Sequence, residues 1–153
     1  MPTIGKPAPA FTLDTDAGVP LSLKDLKGTP IVLYFYPKDD TSGCTTEACE
    51  FRDAFPRFTS SRAVILGVSP DSVKSHQQFK AKYDLPFTLL ADTEHTVAEK
   101  YGVWKEKSMY GRKYMGVERT TFVIDAAGKL ARVFEKVKPA GHAAEVEAAL
   151  REL

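Results

Sequence analysis

Residues 31–35, Ile-Val-Leu-Tyr-Phe, form an unbroken apolar run of β-branched, aliphatic and aromatic side chains. Without alternation of apolar and polar positions, such a run suits a strand covered on both faces, as in a parallel sheet between helices. A second run, Ala-Val-Ile-Leu-Gly-Val at 63–68, follows a stretch in which Phe51, Phe55 and Phe58 recur at helical spacing. Strand, helix, strand is a βαβ unit, whose crossover is almost always right-handed. An α/β architecture is therefore expected from this half of the chain alone.

The remaining elements follow from local signals. Pro56, inside the phenylalanine pattern, predicts a kink or an early helix end. Ser69 as N-cap and Pro70 at the first helical position predict a helix over about 71–83. A short strand is expected at 87–90 and a short helix at 93–101, ended by Gly102. Ahead of the first buried run, 11–13 and 19–23 read as a hairpin, followed by one helical turn closed by Gly28. Residues 103–117 read as a loop or a short edge hairpin. The runs 120–124 and 130–134 flank Asp125-Ala126-Ala127-Gly128-Lys129, a hairpin signature. Ala144, Val146, Ala149 and Leu150 give 142–152 the apolar stripe of a closing helix. The expected fold is α/β: a mixed central β-sheet flanked by helices in thioredoxin-like order, with an N-terminal β-hairpin, all in one domain over 1–153.

Charge narrows the function classes. Lys and Arg number 21 against 20 Asp and Glu, a net charge of +1, which argues against a general polyanion-binding surface. Trp104, Tyr110 and Tyr114 among lysines could stack on bases, but in a near-neutral chain they read as a packed edge, so no nucleic acid is expected. The first residues lack a basic region followed by an apolar core, and the apolar runs are strand-sized. A soluble, cytoplasmic protein without a membrane partner is expected.

Both cysteines, Cys44 and Cys49, lie just beyond the first buried run. Two are too few for a disulfide scaffold or a four-cysteine zinc site. His76, His95 and His142 do not combine with them at ligand spacing, so no metal is expected. Residues 38–43 are polar and turn-forming, which puts Cys44 in a surface loop or the first turn of a helix beginning near it. The free N–H groups and partial positive charge of a helix start favour the thiolate, the nucleophilic form. Asp39, Asp40 and Glu47 oppose it, so a cation from elsewhere is required. Arg119 stands out, because it opens a predicted buried strand.

The Cys-x-x-x-x-Cys spacing is not that of the Cys-x-x-Cys dithiol exchangers. Five residues along a helix rise about 7.5 Å and turn about 140°, leaving the Cα atoms roughly 8.6 Å apart, beyond disulfide reach. The two residues are thus either independent thiols or a switch that couples oxidation to unwinding of the first turn.

The motif Pro37-x-x-x-Thr41-x-x-Cys44 resembles the active-site motif of the peroxiredoxins. The run from Phe35 to Cys49 is similar to that of their bacterioferritin comigratory protein, or peroxiredoxin Q, branch. Similarity also covers Gly5-Lys6-Pro7-Ala8-Pro9-Ala10-Phe11, Val68-Ser69-Pro70-Asp71 and Arg119-Thr120-Thr121-Phe122-Val123-Ile124-Asp125. Ser42 stands where that family commonly has proline, which loosens the loop without removing a catalytic group.

The resemblance implies a thioredoxin-dependent, thiol-specific peroxidase acting on hydrogen peroxide and organic hydroperoxides. Cys44 would be the peroxidatic thiolate and Cys49 the resolving thiol, joined as an intramolecular disulfide that thioredoxin or a related dithiol reduces. Thr41 would orient the peroxide, Arg119 would supply positive charge, Pro37 would shield Cys44, and Gly43 would line the substrate site. Glu47 would anchor Arg119; read from its position alone, it is a favourable charge in a helix first turn. The branch implies a monomer and no metal, haem or flavin. Two rivals on the same residues are a thiol–disulfide exchanger and a redox sensor that oxidises once without turnover.

Overall fold

The computed structural model describes residues 1–153. An N-terminal hairpin, β1 (Thr12–Thr15) and β2 (Pro20–Ser22), leads through a 3-10 turn at Leu23–Leu26 into β3 (Ile31–Phe35). Helix α1 (Ser42–Ser60), β4 (Val64–Ser69), α2 (Val73–Tyr83) and β5 (Thr88–Ala91) complete two βαβ steps. Then come α3 (Thr96–Lys100), the hairpin β6 (Trp104–Met109) and β7 (Arg112–Val117), the hairpin β8 (Thr120–Ile124) and β9 (Leu130–Phe134), and α4 (His142–Arg151).

Seven strands form one mixed sheet in the order β2-β1-β5-β4-β3-β8-β9. β3, β4 and β5 run parallel, while β8 is antiparallel to β3 and β1 antiparallel to β5. Every residue of β3 is buried, as its unbroken apolar run requires. Val32 and Tyr34 face a core shared with Phe51 and Phe58 of α1, Phe79 of α2 and Val146 of α4. Ile31, Leu33 and Phe35 face the opposite core, with Val97 and Tyr101, Phe122 and Leu130. Period-two alternation thus still operates, but both faces are dry. No helix is long and apolar enough to cross a membrane.

Two local expectations need correction, and one left open is decided. First, α1 does not end at Pro56 but continues to Ser60. Pro56 is exposed, while Phe51, Ala54 and Phe58 are buried on the sheet side. Proline removes one backbone bond on the wet side of a helix anchored by its apolar face, so packing overrides the break. Second, Ser69 is not the cap of α2. It closes β4, where it pairs with Ala91, and its hydroxyl donates to Asp71 Oδ2 at 2.6 Å. Ser72 caps the helix instead, accepting from the Ser75 N–H at 3.1 Å. Of the two readings of 103–117, loop or short edge hairpin, the hairpin holds: 104–117 forms its own two-stranded sheet. Its tip, Tyr110-Gly111, has φ of 52° and 77°, the doubly left-handed turn that matches strand twist.

Candidate active site

Register brings the site together. β8 pairs with β3 so that Thr120 lies opposite Phe35. The residue ahead of β8, Arg119, therefore arrives where the chain leaves β3 and turns into α1. Thr41 is the N-cap of α1, with φ −98° and ψ 159°. Its carbonyl accepts the first helical hydrogen bond, from the Thr45 N–H at 2.8 Å.

Cys44 sits in the first turn of α1 as expected, but it is not on the surface: its exposure is 1%. Cys44, Ala48 and Phe51 follow one another at i, i+4 and i+7 and belong to the same core. The polar loop before Cys44 decides where the helix starts; the helical period decides which way the thiol points.

Arg119 Nη2 donates to Cys44 Sγ at 3.2 Å, and Nη1 donates to Glu47 Oε1 at 2.7 Å. One planar guanidinium thus holds the sulfur and the carboxylate in fixed relation, a role lysine could not fill. The Glu47 side chain is wholly buried and that of Arg119 nearly so. Gly43 gives the guanidinium its room: a Cβ there would stand 3.1 Å from Arg119 Nη2 and 3.4 Å from Pro139 Cγ.

The electrostatics of the pair are uneven. Burial drives the Glu47 carboxyl up from 4.5 to about 7, and the neighbouring Arg119 charge only partly offsets this. Glu47 Oε2 has no hydrogen-bond partner, in keeping with a desolvated carboxyl. Burial also works against the Arg119 charge, but Glu47 and Cys44 beside it carry its pKa net upward. Lys107, on β6, is pushed down by burial and then by the Arg119 charge. Nothing in the sequence around Lys107 distinguishes it from the other hairpin lysines.

The other expected residues are placed as follows. The Thr41 hydroxyl is exposed and donates to the Lys38 carbonyl at 2.9 Å, rather than to the sulfur. Pro37 is half-buried in the loop between β3 and α1. Cys49 lies on the same unbroken helix as Cys44, half-buried, and both are free thiols. Arg119, Cys44, Glu47 and Gly43 are brought into contact; Cys49 is held one turn away from them.

Residues 4–133 match the AhpC/TSA family. The putative peroxiredoxin bcp of Coxiella burnetii is 58% identical over 143 residues, which cover 94% of this chain and 95% of that one. Peroxiredoxin Bcp of Bacillus subtilis is 52% identical over 150 residues, 98% of this chain and 96% of that one. Among solved structures, a cysteine-to-serine mutant of PrxQ from Xylella fastidiosa has a TM-score of 0.94 at 37% identity, covering 99% of this chain and 97% of that one. Peroxiredoxin Q of Xanthomonas campestris has a TM-score of 0.89 at 44% identity, covering 93% and 90%. The mixed sheet and its helices are those of the thioredoxin-like fold expected from the sequence.

Proposed function

The chain belongs to the AhpC/TSA family and is a peroxiredoxin of the Bcp, or PrxQ, branch, and on that premise we propose that it reduces hydrogen peroxide and organic hydroperoxides through Cys44. The observation that carries this reading is the Arg119 guanidinium, which spans Cys44 Sγ and the buried Glu47 carboxyl. A fixed cation beside sulfur steadies the thiolate before attack and the charge that develops on oxygen during it.

In the first step the Cys44 thiolate attacks one peroxide oxygen. The S–O bond forms as the O–O bond breaks, and the second oxygen leaves as hydroxide or alkoxide that takes a proton from solvent to become water or alcohol. Cys44 becomes a sulfenic acid. The Thr41 hydroxyl proton is engaged by Lys38, so its oxygen is free to accept a hydrogen bond from the peroxide. Pro37 and the loop around it shield the site, and Gly43 lets Arg119 approach it.

In the second step the Cys49 sulfur attacks Cys44 Sγ. The S–S bond forms, the S–O bond breaks, and water departs. This needs the first turn of α1 to unwind, since the intact helix keeps the thiols apart. A dithiol such as thioredoxin then reduces the disulfide. Burial of Cys44 favours this order over direct exchange with protein disulfides: a small oxidant can enter the folded site, whereas a macromolecular thiol needs the helix opened first. The reading takes a cytoplasmic monomer as the working unit, which light scattering of the reduced and oxidised forms tests.

The deciding experiment is intact-mass analysis with peptide mapping after one equivalent of peroxide. A Cys44–Cys49 bridge is expected in the native chain, a stalled Cys44 sulfenic acid in Cys49→Ser, and no reaction in Cys44→Ser. Peroxide turnover by Cys44→Ser would sink the mechanism, and thioredoxin-linked turnover by Cys49→Ser would remove Cys49 from it.

A further inference from the structure

The loop between β3 and α1 is fastened to α2 and to the turn ahead of it. Asp40 adopts φ 57°, a conformation uncommon for a side-chain-bearing residue. Its carboxylate accepts from Lys82 Nζ at 2.7 Å and the Tyr83 hydroxyl at 2.8 Å. The Asp39 N–H donates to Asp71 Oδ2 at 2.8 Å. Asp39 Oδ1 accepts from the Tyr36 hydroxyl at 2.5 Å, and Oδ2 accepts from Ser75 Oγ at 2.7 Å. Asp39 Oδ2 also lies 2.7 Å from Nδ1 of His76, a fully buried residue whose Nε2 is 2.9 Å from the Leu90 carbonyl.

Both ring nitrogens of His76 face an oxygen. A carbonyl only accepts, so His76 Nε2 donates to Leu90. An ionised Asp39 has no proton to give, so Nδ1 donates to it as well. His76 therefore donates from both ring nitrogens and forms a buried, charge-assisted pair with Asp39. The titratable groups beside this pair are Tyr36 on the same loop, Asp71 in the turn ahead of α2 and Tyr34 on β3. Asp39, Asp71 and His76 bring ligand-type atoms within 4.8 Å of one another. Those atoms already have donors and acceptors among themselves, Ser69 and Ser75, so the cluster reads as a closed hydrogen-bond network.

We propose that His76 is a positioning residue for the peroxide reaction: paired with Asp39, it holds loop 36–41, and so Thr41 and the start of α1, in the geometry Cys44 needs. The inference rests on the peroxidase reading above. Asp39 lies two residues before Thr41, whose hydroxyl is tied to Lys38 and whose carbonyl begins α1. The anchors of Asp39 and Asp40 lie on α2 and in the turn ahead of it, not on α1. The loop therefore keeps its place while the first turn of α1 opens to form the disulfide. Loss of the His76 anchor should slow attack on peroxide and leave reduction of the disulfide alone.

The test measures both steps. Cys44 oxidation is followed by stopped flow in the native chain, His76→Gln and the milder Ser75→Ala. Reduction of the preformed disulfide by thioredoxin is timed separately in each. Oxidation of His76→Gln should fall about 10- to 100-fold while disulfide reduction stays within about twofold, since a misplacement near 1 Å carries such a cost only for the step it misaligns. Ser75→Ala should shift oxidation in the same direction by less, and it carries the kinetic test if His76→Gln does not fold. Nitrogen-15 NMR of the native reduced protein should show protons on both ring nitrogens of His76. Oxidation at native speed in both variants, equal slowing of both steps, or a singly protonated His76 ring would each overturn the proposal. If the native chain itself leaves peroxide untouched, the peroxidase reading fails instead.

Discussion

Glu47→Gln isolates the electrostatic cost built into the site. The native carboxyl is wholly buried, with one oxygen on Arg119 and the other without a partner. Burial raises it from 4.5 to about 7. Between those values the folded carboxyl keeps its proton and the unfolded one has lost it, so the native state binds more protons. Stability must then fall as pH rises through that window, by about 1.4 kcal/mol per pH step and roughly 3 kcal/mol in all. Glutamine has similar shape and no proton to lose. The assay is urea unfolding of the reduced native chain and Glu47→Gln from pH 4.5 to 8; guanidinium is avoided because its salt screens the Arg119 pair. The stability difference should move about 3 kcal/mol in favour of the variant between pH 4.5 and 7, then level off. A difference that stays constant within about 0.5 kcal/mol across that range would refute the argument that burial outweighs Arg119.

Arg119→Ala removes the donor to Cys44 and should slow Cys44 oxidation about 100-fold in stopped flow; an unchanged rate takes Arg119 out of the reaction. The same variant should titrate Glu47 at still higher pH, because the Arg119 charge is what holds that carboxyl down. Gly43→Ala places a Cβ 3.1 Å from Arg119 Nη2, so oxidation should slow about tenfold with little change in melting temperature; native kinetics would show that the guanidinium has room to spare. Gly67→Ala puts a Cβ 2.9 Å from Leu89 Cδ2 and the Tyr34 ring and should cost about 1–3 kcal/mol in urea unfolding; an unshifted midpoint refutes the tight fit.

The elements most easily read were those whose signal is local. The apolar run of β3 admits few alternatives, and Asp125 to Lys129 carries its turn chemistry within five residues. The structure departs from the local pattern where two local signals compete and packing chooses between them. Ser69 and Ser72 are both good caps, and pairing with β5 takes Ser69 into the sheet. Pro56 is a breaker, but on the exposed side of a helix anchored around it by Phe51, Ala54 and Phe58 it does not end α1. The burial of Cys44 was legible in the spacing of Cys44, Ala48 and Phe51, yet the polar loop before it pointed to the surface. His76 carried no sequence signal beyond its identity, because its partner Asp39 is 37 residues away.

By itself the sequence determined the kinds of element, the start of a helix at the cysteines, and the mismatch between helix geometry and a Cys44–Cys49 bridge. Each depends on interactions within a few residues, where the backbone has only a small menu. Tertiary structure decided which charge meets the sulfur. Arg119 reaches Cys44, 75 residues before it, only because Thr120 pairs with Phe35, which sets the end of one central strand beside the start of another. That register is fixed by burying both faces of β3 at once, a constraint no local stretch of chain contains.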